Sequence, residues 1–144
     1  MKKELDAIAQ DVINKLDGKV IIHRYDSHST NSIYLKFDYG IACSLRISDH
    51  DGYQHLRYRF NILESMANRS SKKDSYRHGF QMIFYSPKMV TACCKDILRE
   101  KQLKMEKYHS YQSVVLKAKQ EATRDKGFWH GAKLVKNPYN WIDE

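Results

Sequence analysis

Residues 32–62 alternate between apolar and polar side chains. Because successive side chains of a β-strand point to opposite faces, this pattern predicts strands with one buried face and one wet face. Turn signals at Tyr39-Gly40 and at residues 49–52 divide the stretch into three strands of an antiparallel meander. The apolar set comprises Ile33, Leu35, Phe37, Cys43, Leu45, Ile47, Leu56, Tyr58, Phe60 and Ile62.

The polar set of the same three strands contains cations and no carboxylate. A basic surface attracts polyanions through counterion release, and aromatic rings among the cations can stack unpaired bases. We therefore predict a binding face for single-stranded nucleic acid, RNA or another anionic partner. Its predicted residues are Tyr34, Lys36, Arg46, His55, Arg57 and Arg59, joined by Lys72 and Lys73 of the following loop. The alternative is that helices or a partner cover this face and that its arginines pair with Asp38 or Glu64.

The composition predicts a single globular domain over residues 1–144, because 29% of the side chains are charged and 42% are hydrophobic. The formal net charge is +8. No apolar run has the length of a membrane span and no signal-peptide block is present, so we expect a cytoplasmic protein. Three cysteines, an odd count, fit a reducing compartment.

The N-terminal segment predicts a helix followed by a strand. Apolar residues recur at helical spacing from Leu5 to Leu16, and Gly18 follows as a C-terminal cap. The Val- and Ile-rich stretch 19–25 predicts the first strand, which a polar loop connects to the meander.

The second half predicts a loop, a fifth strand and two more helices. Residues 64–78 have no apolar period and predict an exposed basic loop, and residues 80–85 predict a strand. Ser86-Pro87 predicts the start of the second helix, and Ser110 predicts the start of the third. The stripe expected to be buried on the second helix is Met89, Val90, Cys93, Cys94, Ile97, Leu98 and Met105.

The predicted fold class is therefore α+β. It consists of an N-terminal helix, a five-stranded antiparallel meander-type sheet and two C-terminal helices packed on one face. An irregular aromatic tail at 128–144 completes the chain, and its residues Trp129, Tyr139 and Trp141 either anchor an interface or fold back onto the domain.

Catalytic chemistry has weak support. Asp49 and His50 are adjacent at a strand end, where they could act as a general base with its orienting carboxylate. Adjacent residues usually diverge, however, and Asp-x-Asp-Gly at 49–52 is ordinary turn chemistry. The seven histidines lack metal-site spacing, and no phosphate loop or nucleophile elbow occurs. The sequence predicts no catalytic residue, no metal and no cofactor.

One hairpin resembles a known group of proteins. The stretch Ser32–Lys36, followed by Leu45–His50, is similar to a hairpin of small phage and mobile-element proteins, including an anti-CRISPR protein that blocks Cas9. The resemblance is confined to this hairpin. It implies a phage-type accessory protein that acts in the host cell as an inhibitor of a defence nuclease, and it assigns no catalytic residue.

The face and the resemblance together predict a non-enzymatic inhibitor that binds a Cas nuclease with its guide RNA and blocks it by occupancy. Arg46, Arg57 and Arg59 would supply the cations, and Tyr34 a stacking or packing contact. The first alternative is an accessory protein that binds DNA or RNA directly. A small metal-dependent nuclease is the less favoured alternative.

Overall fold

The structure is a computed structural model that describes residues 2–49, 55–59, 80–84, 86–124 and 127–142. The loop expected at 64–78, with Lys72 and Lys73, lies outside the described residues, as does His50. The elements are α1 (Lys2–Lys15), β1 (Ile22–Asp26), β2 (Ser32–Phe37), β3 (Cys43–Ser48), β4 (His55–Arg59), β5 (Phe80–Phe84), α2 (Pro87–Lys107), α3 (Tyr111–Arg124) and β6 (Lys133–Lys136), with 3₁₀ turns at Asp38–Gly40 and Phe128–Gly131.

The strands form one antiparallel sheet in the order β5-β4-β3-β2-β1-β6. The predicted class, α+β with an antiparallel sheet, is confirmed. The expected layout of five strands is wrong for the described residues, because β6 adds a strand beside β1, with Leu134 opposite His23. Four residues are too few to distinguish a strand from the surrounding tail by pattern alone.

One face of the sheet carries the apolar residues of β2 and β3 and packs against α1 and α2. Leu56, Tyr58, Phe60 and Ile62 of the predicted apolar set have side chains outside the described part of the structure. We call this face of the sheet the helix-covered face. Leu35, Leu45 and Ile47 of its central strands are fully buried, and each buried side chain of this size contributes roughly 1.5–3 kcal/mol. At its margin, Arg24 of β1 forms an ion pair with Asp6 of α1 at 2.7 Å. The apolar period in β2 and β3 therefore builds the core that the sequence predicts.

Three helix ends follow the sequence signals. The Ser86 Oγ accepts a hydrogen bond from the Met89 backbone N–H at 3.2 Å, and Ser110 does the same for Ser113 at 3.3 Å. Gly18, after α1, has φ 76°, a left-handed conformation that glycine adopts at low cost. Caps are local, which is why sequence predicts them well.

Helix α2 buries a different set of residues at its C-terminal half than the sequence predicts. Met105 is 46% exposed, whereas Glu100 and Lys104 are buried and form an ion pair with each other. The charged pair takes the inward positions because each member supplies the other's counter-charge. Further up the helix Cys93 and Cys94 are buried as expected, and burial raises the pKa of both thiols, that of Cys94 to about 11.

Helix α3 does not join α2 on the helix-covered face, so the expected packing of both C-terminal helices on one face is wrong. Val115 of α3 packs with Ile21 and Ile142 in a second apolar cluster. Toward its C-terminus, α3 shares a cavity with His23 and Lys36, which alternate with the core residues and so lie on the other face. An amphipathic stripe shows which side of a helix is buried, but not against which face of a sheet.

Among the described residues, no helix has the length and apolar character needed to cross a membrane.

Candidate nucleic-acid interface

The register places all the predicted strand residues of the binding surface on one face of the sheet. Opposed residues in an antiparallel pair share a face. Tyr34 lies opposite Arg46, and Arg46 lies opposite Arg57. In the next row Lys36 lies opposite Ser44, which lies opposite Arg59. His55 lies opposite Ser48 on the same face. We call the set Tyr34, Lys36, Arg46, His55, Arg57 and Arg59 the basic face.

Arg46 is the central cation of the basic face. Its guanidinium donates hydrogen bonds from Nε and Nη2 to the Ser32 Oγ, at 3.3 and 3.2 Å, and lies 5.7 Å from the centroid of the Tyr34 ring. The ion pairs formed among the described residues do not include Arg46. A neutral hydroxyl and a ring orient the guanidinium without neutralising its charge.

The strand register also brings two like charges into opposition. Arg46 of β3 and Arg57 of β4 are direct cross-strand partners. Opposed like charges destabilise a sheet by up to about 1 kcal/mol compared with a neutral pair. The register therefore places two positively charged residue types at directly opposed positions of β3 and β4.

The basic face is partly covered at its β1–β2 side. Trp129 of the second 3₁₀ turn lies over β2, with the Lys36 Nζ 4.6 Å from its ring centroid, and it meets the Tyr34 ring edge-on at 6.1 Å. Lys36, Tyr34 and Arg46 are each half-buried. The aromatic tail folds back onto the domain here, and of the two roles considered for Trp129 the structure places it in packing.

Asp38, which the sequence offers as an arginine partner, is used differently. It is fully buried, and its carboxylate accepts hydrogen bonds from the Ile21 N–H at 2.8 Å, the Tyr111 hydroxyl at 2.7 Å and the Tyr139 hydroxyl at 3.2 Å. The Lys101 Nζ lies 3.3 Å away. Burial raises the pKa of Asp38, although the nearby Lys101 opposes this shift.

We call Asp38, Lys101, Tyr111 and Tyr139 the polar lock, because they join the segment before β1, the turn after β2, α2, α3 and the tail. Sequence reasoning misses this group. Asp38 follows a strand and precedes a glycine turn, so nothing in the local pattern distinguishes it from an exposed turn residue. Tyr111 and Tyr139 are aromatic residues whose hydroxyls need partners when buried, but their spacing in the sequence does not connect them to Asp38.

The acid–base and metal alternatives gain no support from the described residues. Asp49 accepts a hydrogen bond from the Asn31 side chain at 2.6 Å, which ties the β3 end to the preceding loop. Its sequence neighbour His50 lies outside the described residues. Within those residues, no three His, Cys, Asp or Glu side chains are placed to hold a metal ion.

The relationship of this chain to known proteins adds no further assignment. No protein-family model, curated protein or solved structure matches it.

Proposed function

We propose that this protein is a non-enzymatic, phage-type inhibitor, similar to anti-CRISPR proteins, that acts in the host cytoplasm. It binds a nucleic-acid-handling complex, a Cas nuclease with its guide RNA, and blocks it by occupancy through the basic face. The observation that supports this proposal is the register, which gathers Lys36, Arg46, Arg57 and Arg59 on one face of three adjacent strands.

The opposed arginines are the strongest argument for an anionic partner. A phosphate group bound between Arg46 and Arg57 would relieve their mutual repulsion and accept charge-assisted hydrogen bonds from both positions. Two like charges at directly opposed positions lower the stability of a sheet, and an anion bound between them recovers that free energy. Stability given up in the free state and regained on binding is typical of binding surfaces rather than of surfaces that only maintain solubility.

Tyr34 indicates more specifically which kind of anionic partner the basic face binds. Its ring lies beside Arg46 and meets Trp129 edge-on, at the β2 end of the cross-strand row that continues through Arg46 to Arg57. Bases of an unpaired strand stack on such rings with little sequence preference, while the neighbouring cations contact the phosphates. A guide RNA or a displaced DNA strand offers both groups in alternation. The inhibitor then competes with the nuclease's own groove for the same strand.

Charge reversal at Arg57 and Arg59 tests the proposal. We expect the double variant Arg57→Glu/Arg59→Glu to lose inhibition of guide-dependent cleavage while it remains folded. The matched control is Lys95→Glu/Lys117→Glu, which changes two exposed helical cations and lowers the net charge by the same amount. Equal loss of inhibition in both variants, or no loss in the first, would contradict the proposal.

Direct binding to DNA or RNA is the second candidate, because the basic face contains both a stacking ring and phosphate-binding cations without requiring a protein contact. A gel-shift titration against salt distinguishes the two. Direct binding should weaken steeply as the salt concentration rises, since each phosphate contact releases counterions. Pull-down from host lysate, with and without nuclease treatment, then shows whether a protein partner persists after the nucleic acid is removed.

A further inference from the structure

A cavity separates the basic face from the C-terminal half of α3. Its volume is about 300 Å³, at the lower end of the range for small-molecule sites. His23 and Lys36 of the sheet form one wall, Lys119 and Ala122 of α3 form the opposite wall, and Trp129 lies at the side. The cavity therefore joins residues from three separate parts of the chain.

The charge of the lining is one-sided. Lys36 and Lys119 approach from opposite walls, and His23 and His130 add two imidazoles. None of the described residues that line the cavity is acidic. A half-open site with this lining favours an anion over a neutral or cationic ligand, because cations line it from more than one side and its walls exclude part of the solvent.

Aromatic rings supply a flat surface beside these cations. The Tyr39 ring contacts His23 at a centroid distance of 4.9 Å, and Trp129 lies against Lys36. Tyr39 reaches this position through a strained turn, since Asp38 and Tyr39 both adopt left-handed backbone angles, with φ of 50° and 56°. The polar lock holds Asp38 in that conformation. The fold thus maintains an unfavourable turn whose result is an aromatic ring at the cavity wall.

We propose that this cavity binds a nucleoside phosphate, either a free mononucleotide or the terminal nucleotide of a strand. Lys119 and Lys36 contact the phosphate, and the base lies against Tyr39. The site shares Lys36 with the basic face but does not depend on the proposed inhibition, because a nucleotide needs only the cavity. It differs from the basic face in recognising one nucleotide unit instead of a run of phosphates.

Tryptophan fluorescence gives a direct readout. The chain has two tryptophans, and the variant Trp141→Phe leaves Trp129 as the only one. We expect AMP to change the Trp129 emission in a saturable manner. Lys119→Ala should weaken this binding about tenfold or more, because a charge-assisted contact is lost. Lys117→Ala is the matched control, since Lys117 is exposed on the same helix and does not line the cavity.

A second variant tests whether AMP binding requires the open volume of the cavity. Ala122→Leu keeps a good helix former and fills the cavity, so it should abolish the AMP response while the thermal unfolding transition is retained. No saturable response to AMP at millimolar concentration would overturn the proposal. So would equal weakening by Lys117→Ala, or inorganic phosphate binding as tightly as AMP.

The source of the nucleotide follows from two further probes, a short oligonucleotide with a 5′-phosphate and the same strand with a 5′-hydroxyl. Tighter binding of the phosphorylated strand than of AMP assigns the cavity to a strand end, and tighter binding of AMP assigns it to free nucleotide. Either result supports a nucleoside phosphate site. Loss of inhibition in Arg57→Glu/Arg59→Glu with an unchanged AMP response would show that the two sites are separate.

Discussion

The two faces of the sheet consist of alternate residues of the same strands, yet helices cover one face and the other carries cations. Leu35 is fully buried beneath α1 and α2, whereas its neighbour Tyr34 is half-buried between Arg46 and Trp129. The helix-covered face gains free energy from every side chain it removes from water. The basic face instead retains two opposed arginines. The comparison teaches that the period of two lets one backbone separate a buried apolar face from a face rich in cations.

The largest expected effect on stability comes from a substitution that disrupts the packing of the helix-covered face. Leu35→Ala should lower the free energy of unfolding by about 2–5 kcal/mol, because it leaves a cavity in a closely packed core. Tyr34→Ala, one residue away on the basic face, should lower it by about 1 kcal/mol and affect ligand binding instead. Urea denaturation of both variants measures the contrast. Similar losses at the two positions would show that the faces do not differ as described.

The next effect concerns the polar lock, which anchors α3. Helix α3 in turn lies over part of the basic face. Tyr111→Phe removes the 2.7 Å hydrogen bond to Asp38 and should cost about 1.5 kcal/mol, since the acceptor is a buried carboxylate. Tyr108→Phe is the control, because Tyr108 lies just before α3 and its hydroxyl has no role in the lock. Thermal unfolding compares the two. A larger loss from Tyr108→Phe would contradict the assignment of the lock.

The third effect is smaller and has the opposite sign. Arg57→Glu places a carboxylate opposite Arg46 and should stabilise the free protein by about 0.2–1 kcal/mol. The same change should weaken the binding of single-stranded nucleic acid. Denaturation and gel-shift assays on one preparation measure both. A variant that loses stability as well as binding would remove the argument that this face is adapted to a ligand at the expense of folding.

The last prediction is a pH dependence that comes from Asp38 and to which Leu35, an apolar residue of the helix-covered face, does not contribute. Since burial raises the pKa of Asp38 above its ordinary 3.8, the native state holds this proton more tightly than the unfolded chain. The contribution of Asp38 is therefore fully present below 3.8 and is lost as the pH rises through the raised value. Wild-type protein should lose stability relative to Asp38→Asn over this window. The difference between wild type and Leu35→Ala should stay constant, and a matching slope there would refute the assignment.

Local rules predict most of the fold. Alternation locates β2 and β3, and the serine caps locate the starts of α2 and α3, because each depends on neighbours in sequence. The features that sequence misses depend on distant partners. β6 forms by pairing with the edge of β1, which is distant in sequence. Glu100 is buried together with its ion-pair partner Lys104.

The candidate site also contains some features that the sequence predicts and others that it misses. Strand parity correctly places Tyr34, Lys36 and Arg46 on one face, because parity needs only the period of two. It cannot show that Trp129 comes to lie over Lys36, since that contact joins residues far apart in the chain. The cavity beside Lys119 is invisible in the sequence for the same reason.

The pairing of β6 with β1 has a consequence for folding intermediates. The strand that completes the β1 edge lies far from it in sequence, so that edge stays open until the two distant segments meet. An uncapped strand is a template for aggregation. Intermediates in which β6 has not yet docked should therefore associate with one another more readily than the native protein does.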